Sequence, residues 1–328
     1  MTGRWLLPAL GLLVAALFLV SLVTGPAGIG AAEGLAALVT GEGAAGLVMR
    51  EIRLPRAILG LAVGAALGLS GAAMQGFLRN PLAEPGLIGT SSAAALGAVI
   101  AIHTGLYAAF ALALPLMALA GAAVAVGLIL ALAGPRGRAL SLILAGIAIS
   151  ALMGALTALA LNLAPSPYAA TEIVFWMMGS LADRSMQHVW LALPFLGLGA
   201  VLLAATGRGL DALTLGEDAA ESLGVSLTAL RLRIVFGTAA LVGAATAVAG
   251  AVGFVGLVVP HLLRRAVGAR PAALLPASAL GGAAMLLAAD IATRLVLPDR
   301  DLKLGVLTAL VGAPFFLHLV RRMGREGA

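Results

Sequence analysis

Charged side chains are missing from very long stretches of this chain. No Asp, Glu, Lys or Arg lies between Arg4 and Glu33, between Glu84 and Arg136, between Arg138 and Glu172, or between Arg233 and Arg264. Each of these stretches contains an apolar window of about 20 residues, the length a helix needs to cross a bilayer. With 62% of 328 residues hydrophobic and 10% charged, no water-soluble core could absorb the apolar surface. The chain therefore reads as an all-α polytopic membrane protein, a single transmembrane domain over residues 1–328. Forty-three glycines, many in Ala/Gly-rich runs, suit helices whose backbones approach closely.

Apolar runs and their Gly, Pro and Arg breaks predict ten crossings. They fall at about 5–23, 56–77, 90–110, 112–133, 140–163, 189–206, 232–252, 254–266, 272–296 and 304–320. Residues 25–52 and 164–185 form longer outer segments. Tyr168, Phe175 and Trp176 in the second of these suit the interfacial belt. On this layout thirteen of the twenty basic residues fall on one side, among them Arg79, Arg136, Arg138, Arg208, Arg231, Arg233, Arg264, Arg265 and Arg270. The positive-inside rule then places both termini in the cytoplasm, in a bacterial inner membrane. The net charge of +6 is explained by these helix ends, so no nucleic-acid partner is expected.

Two stretches stand out. Gly71 to Gly89, GAAMQGFLRNPLAEPGLIG, brings Gln75, Arg79, Asn80, Pro81, Glu84 and Pro85 together after a long apolar run. Asn80-Pro81 and Pro85 restrict the backbone, so a stiff turn at the inner membrane surface is expected. A weak echo relates residues 71–82 to 250–261, which fits an inverted repeat. The second stretch, about 208–230, mixes Leu213, Leu215, Ala219, Ala220, Leu223 and Val225 with Glu217, Asp218 and Glu221, the pattern of short amphipathic helices outside the membrane. Their apolar face must rest on the chain's own helix ends or dock to a soluble partner.

RLPR (Arg53 to Arg56), RNPLAEPGLIG, FWMMGSL (Phe175 to Leu181), LGEDAAESLG, GFVGLVVPHLLRRAVG (Gly253 to Gly268), ADIATR (Ala289 to Arg294) and GVLTALVGAPFFLHLV (Gly305 to Val320) follow in an order that resembles the permease subunits of type II ABC importers for iron chelates, haem and cobalamin. The resemblance implies a homodimer with two ATP-binding subunits below and one periplasmic binding protein above. It implies that Leu215, Gly216, Ala219, Ala220, Leu223 and Gly224 contact the ATPase. Asn80 and Leu82, with Ala139, Leu140 and Ser141, match cytoplasmic gates. Arg53, Arg56 and Arg294 match arginines that meet glutamates of the binding protein; on their own they read equally as interfacial anchors. An iron-siderophore is the expected cargo, with haem or cobalamin next. Lys303 stands where the family usually has proline, and Gly250-Ala251-Val252 where it usually has G-P-I.

The lone lysine, Lys303, rules out a G-x-x-x-x-G-K-[ST] phosphate loop, so ATP hydrolysis must come from another subunit. No cysteine exists, the four histidines share no ligand spacing, and no nucleophile elbow or HExxH occurs, so neither cofactor, metal site nor catalytic residues are expected. A stand-alone ion-coupled transporter is the alternative. It would need a buried ionisable group, and Asp290 is the candidate, although Arg294 at i+4 is expected to pair with it.

Overall fold

The computed structural model describes residues 5–110, 112–134, 139–296 and 302–326. Helix is the only regular structure among them, in the order α1 (Leu6–Val23), α2 (Ala31–Thr40), α3 (Gly43–Leu47), α4 (Leu54–Phe77), α5 (Thr90–His103), α6 (Leu106–Ala109), α7 (Ala113–Ala133), α8 (Ala139–Asn162), α9 (Pro167–Met177), α10 (Met186–Ala204), α11 (Gly207–Leu213), α12 (Glu217–Ser222), α13 (Leu227–Ala249), α14 (Val255–Arg264), α15 (Pro271–Val296) and α16 (Leu304–Glu326). Among the described residues, seven helices are long and apolar enough to cross a membrane: α1, the continuous Gly43–Phe77, α7, α8, α10, α13 and α15. The remaining expected crossings correspond to α5, α14 and α16. The basic turn at 135–138, with Arg136 and Arg138, and Arg4 and Arg300 lie outside the described residues.

The second crossing starts earlier than its sequence suggests. A π-helical turn, Val48–Arg53, joins α3 to α4 without a break, so the outer segment expected over 25–52 ends inside a helix. Such a widened turn re-aims side chains, here Arg50 and Arg53. In the outer segment after α8, Ser166 accepts the Ala169 amide at 3.2 Å and Pro167 occupies the first helical position, which starts α9 where its sequence directs.

α4 is the central strut, buried along most of its length and packed chiefly on α15, then on α13, α14 and α10. Glycine makes this possible. A Cβ on Gly64 or Gly68 would strike the carbonyl of Gly282 or Ser278, and one on Gly282 would strike the Gly64 carbonyl, so α4 and α15 meet backbone to backbone. Lipid tails are as apolar as leucine, so close van der Waals contact of this kind holds membrane helices together.

One of these expected crossings, α14, is too short to cross alone. α14, with ten residues, is about 15 Å long, half of a bilayer core of about 30 Å. Its start lies beside the middle of α4, where Gly71 backs onto the Gly256 carbonyl. The two stretches of the sequence echo therefore touch inside the bundle.

Candidate functional site

The turn expected within Gly71 to Gly89 is shorter at the surface than the sequence suggests. Arg79 and Asn80 are exposed, Asn80 Oδ1 accepts the Leu82 amide at 2.9 Å, and Arg79 takes a left-handed conformation with φ 48°, so the chain reverses within a few residues. From Ala83 onward it dips back between the helices. A 3-10 turn, Pro85–Ile88, leads into α5, and Pro85 packs on Gly256 at the start of α14. Glu84 therefore reaches the interior of the helix bundle beside Val63 and Leu67 of α4, and its Oε1 accepts the Phe254 amide at 3.0 Å. This corrects the reading of the whole stretch as a surface turn, and it adds a second bundle-embedded carboxylate to Asp290. The cause is local: an α-helix leaves its first amides unpaired, and a carboxylate is their best acceptor.

Glu84, Ser91, Ser92, Ser150 and Thr246 line a cavity of about 380 Å³ between α5, α8 and the loop 250–253. Ser91 and Thr246 hydroxyls lie 3.3 Å apart across it. On the side of the turn, Gln75 is buried in α4 and donates to the Gly256 and Leu257 carbonyls at 3.4 and 3.2 Å. Arg264, at the far end of α14, donates to Gln75 Oε1 at 2.7 Å. Both ends of α14 are thus tied to the segment that carries Asn80 and Leu82. At the start of α8, Leu142 packs near Phe77, Leu78 and Leu87, which brings Ala139, Leu140 and Ser141 to the same end as that turn. Leu140 is exposed, whereas Ala139 and Ser141 are half-buried.

The stretch 208–230 folds into α11 and α12. Leu210, Leu213 and Ala220 turn inward and are buried, while Leu215 and Leu223 stand 69% and 65% exposed at the two ends of α12. Ala220 therefore seats α12 on its own chain, Gly216 and Ala219 are half-buried, and the outward surface carries Leu215, Leu223 and Gly224 beside Glu217, Asp218, Glu221 and Ser222. Gly216 and Gly224 have φ of 109° and 82°, a left-handed region that a larger residue would enter only with strain. Asp211 fixes this segment to the bundle. Its Oδ1 accepts the Ala272 amide at 2.8 Å and its Oδ2 pairs with Arg270 at 3.0 Å. Nothing in the spacing of the sequence pointed to this bond across 61 residues.

At the opposite end, the three candidate docking arginines close around one carboxylate and one helix end. Asp290, 1% exposed, accepts Arg56 at 2.8–3.2 Å and Arg294 Nη2 at 2.8 Å. The i, i+4 pair was legible; Arg56 was not. Arg294 also donates to the Ser21 and Thr24 carbonyls and to Ser21 Oγ, and Arg53 donates to the Leu22, Val23 and Gly25 carbonyls. These are carbonyls at and just past the end of α1, which lack intrahelical partners and favour positive charge. Arg53 and Arg294 are buried, and Arg56 is 19% exposed. Lys303, the departure from the family pattern, lies over the Phe175 ring at 5.3 Å.

A model of the FecCD transport family matches residues 12–322. The chain belongs to the FecCD transport family. Relatives of this permease include an uncharacterized ABC transporter permease protein, YvrB, of Bacillus subtilis, 40% identical over 85% of this chain and 80% of that protein. The vitamin B12 import system permease protein BtuC of Salmonella paratyphi A is 39% identical over 98% of this chain and 96% of its own length. A cobalamin import system permease of Halobacterium salinarum is 40% identical over 84% and 73%. A solved structure described as an inward-facing conformation of a metal-chelate type ABC transporter superposes with a TM-score of 0.84, at 33% identity, over 96% of this chain and 98% of that one.

Proposed function

We propose that the chain is the membrane subunit of an ABC importer that carries a metal chelate or cobalamin into the cytoplasm, as a homodimer with two ATPase subunits and an external binding protein. The observation that carries this is the pair of exposed leucines, Leu215 and Leu223, on a short segment that Asp211 clamps to α15. Apolar side chains held outside the bundle on a rigid mount suit a soluble partner, and the mount offers a route for its motion. Movement of α12 would pass through Asp211 and Arg270 to α15 and α14, and from Arg264 and Gln75 to the turn at Asn80 and Leu82. The start of α8 would form the facing part of the gate. No group in this path performs chemistry on the cargo.

Of the three arginines Arg53, Arg56 and Arg294, Arg56 has the most accessible side chain, at 19%. We assign docking of the binding protein to the rim around Arg56, with Arg53 and Arg294 holding that rim in shape. Arginine to carboxylate pairs orient a partner and speed its encounter.

An iron-siderophore is the first cargo proposed, on the motifs of the sequence. Cobalamin is the second, favoured by the relatives named for its import. The test is to co-purify the chain with the ATPase encoded beside it and to measure vanadate-sensitive ATP hydrolysis in lipid. Stable association and hydrolysis, both lost in an Ala219→Arg, Leu223→Arg variant, are expected. A chain that binds no ATPase yet moves cargo on an ion gradient would overturn the reading. Binding of labelled ferric siderophore against labelled cobalamin to the partner binding protein separates the two cargoes.

A further inference from the structure

A groove of about 490 Å³ opens on the outside of the bundle between α7, α10 and α13. Its floor is small, with Ala122 and Ala239 buried, and its walls are Leu198 and Phe236, both substantially exposed. One end of this otherwise apolar trough carries Arg233. Arg233 is exposed and has no ion pair or hydrogen bond among the described residues, unlike its neighbour Arg231, which is turned inward. From Arg233 to Ala240 the groove runs about 10 Å along α13, starting from the end that also bears α11 and α12.

We propose that this groove is a binding site for an anionic phospholipid, with one acyl chain in the trough and the phosphate on Arg233. The apolar part cannot select its occupant, because a lipid chain gains no hydrophobic free energy by leaving other lipid chains. Selection comes from the cation. An arginine at the depth of the headgroups forms paired hydrogen bonds with phosphate, and a basic pocket between helices at the cytoplasmic leaflet suits an acidic headgroup. Arg208, exposed at the start of α11, adds a second positive charge at the same end, where Gly209 packs on Leu230. Placing this end at the cytoplasmic leaflet rests on the importer reading; the groove and its cation do not.

The test is native mass spectrometry of the full chain from mild detergent, equilibrated with equal phosphatidylglycerol and phosphatidylethanolamine of matched acyl chains. One favourable surface charge corresponds to about a fivefold preference for the anionic lipid. That preference should fall to parity in Arg233→Gln with total bound lipid retained. Both lipids should be lost together in Ala240→Leu, which fills the trough. Thermal melts of each variant establish that it is folded. Equal retention of the two lipids by the parent chain, or an unchanged ratio in Arg233→Gln, overturns the proposal. So does displacement of the lipid by soluble glycerol phosphate, which would make the site one for a free anion. None of these readouts needs an ATPase or a cargo, so a failed importer assignment leaves them interpretable.

Discussion

The outer arginine cluster and the α11–α12 segment are both polar regions at the ends of an apolar bundle, and they are organised in opposite ways. At the outer end, Arg53, Arg56 and Arg294 direct donors to Asp290 and to the carbonyls at the end of α1, and Arg56 is the one of the three that stays part-exposed. At the other end, Asp211 helps anchor a segment from which Leu215 and Leu223 point away from the chain. The first region is complete within one chain, whereas the second is incomplete. Removing parts should therefore damage folding at the outer end and assembly at the other.

The largest effect on stability is expected from Asp290→Ala. The buried guanidinium of Arg294 and the part-exposed one of Arg56 would lose their shared acceptor, and breaking a buried ion pair from one side costs about 3–5 kcal/mol. A large fall in the detergent melting temperature is expected, and an unchanged melt would mean that the outer cluster is not a folding element. Asp211→Ala should cost only about 0–1 kcal/mol, because its Arg270 partner is 72% exposed. Its ATP hydrolysis in the assembled complex should nevertheless become independent of cargo. Retained coupling in that variant would sever the proposed path through α15. Smallest of all, Leu215→Ser with Leu223→Ser should leave the melt within about 0.5 kcal/mol of the parent, as exposed substitutions do. The same variant should no longer hold the ATPase through gel filtration; if it does, the exposed leucines are not the contact.

Much of the architecture was legible because uncharged runs can only be buried or placed in lipid, and seven of the ten expected crossings stand out by length and composition. Within the candidate sites, local relations were readable and distant ones were not. Asp290 to Arg294 is one helical turn, and a spacing of four announces it. Asp290 to Arg56, Gln75 to Arg264 and Asp211 to Ala272 join residues that only packing brings together. Glu84 was misplaced for a related reason. Its neighbours Asn80, Pro81 and Pro85 carry ordinary turn chemistry, while its depth is set by the short length of α14, whose start lies far along the chain. Ala220 faces inward, a placement that an amphipathic pattern over so few residues could not resolve.

The bond between Glu84 and Phe254 has unequal ends. One partner is a side chain and the other a main-chain amide, which every amino acid except proline supplies. Mutational drift at position 254 can therefore change the ring, and even ease the left-handed φ of 67° by glycine, without dissolving the tie. Drift at position 84 has no such freedom, because only a side chain of that length ending in an acceptor spans the gap. This one tie between the 84 loop and the start of α14 is thus open to loss from one end and insulated at the other.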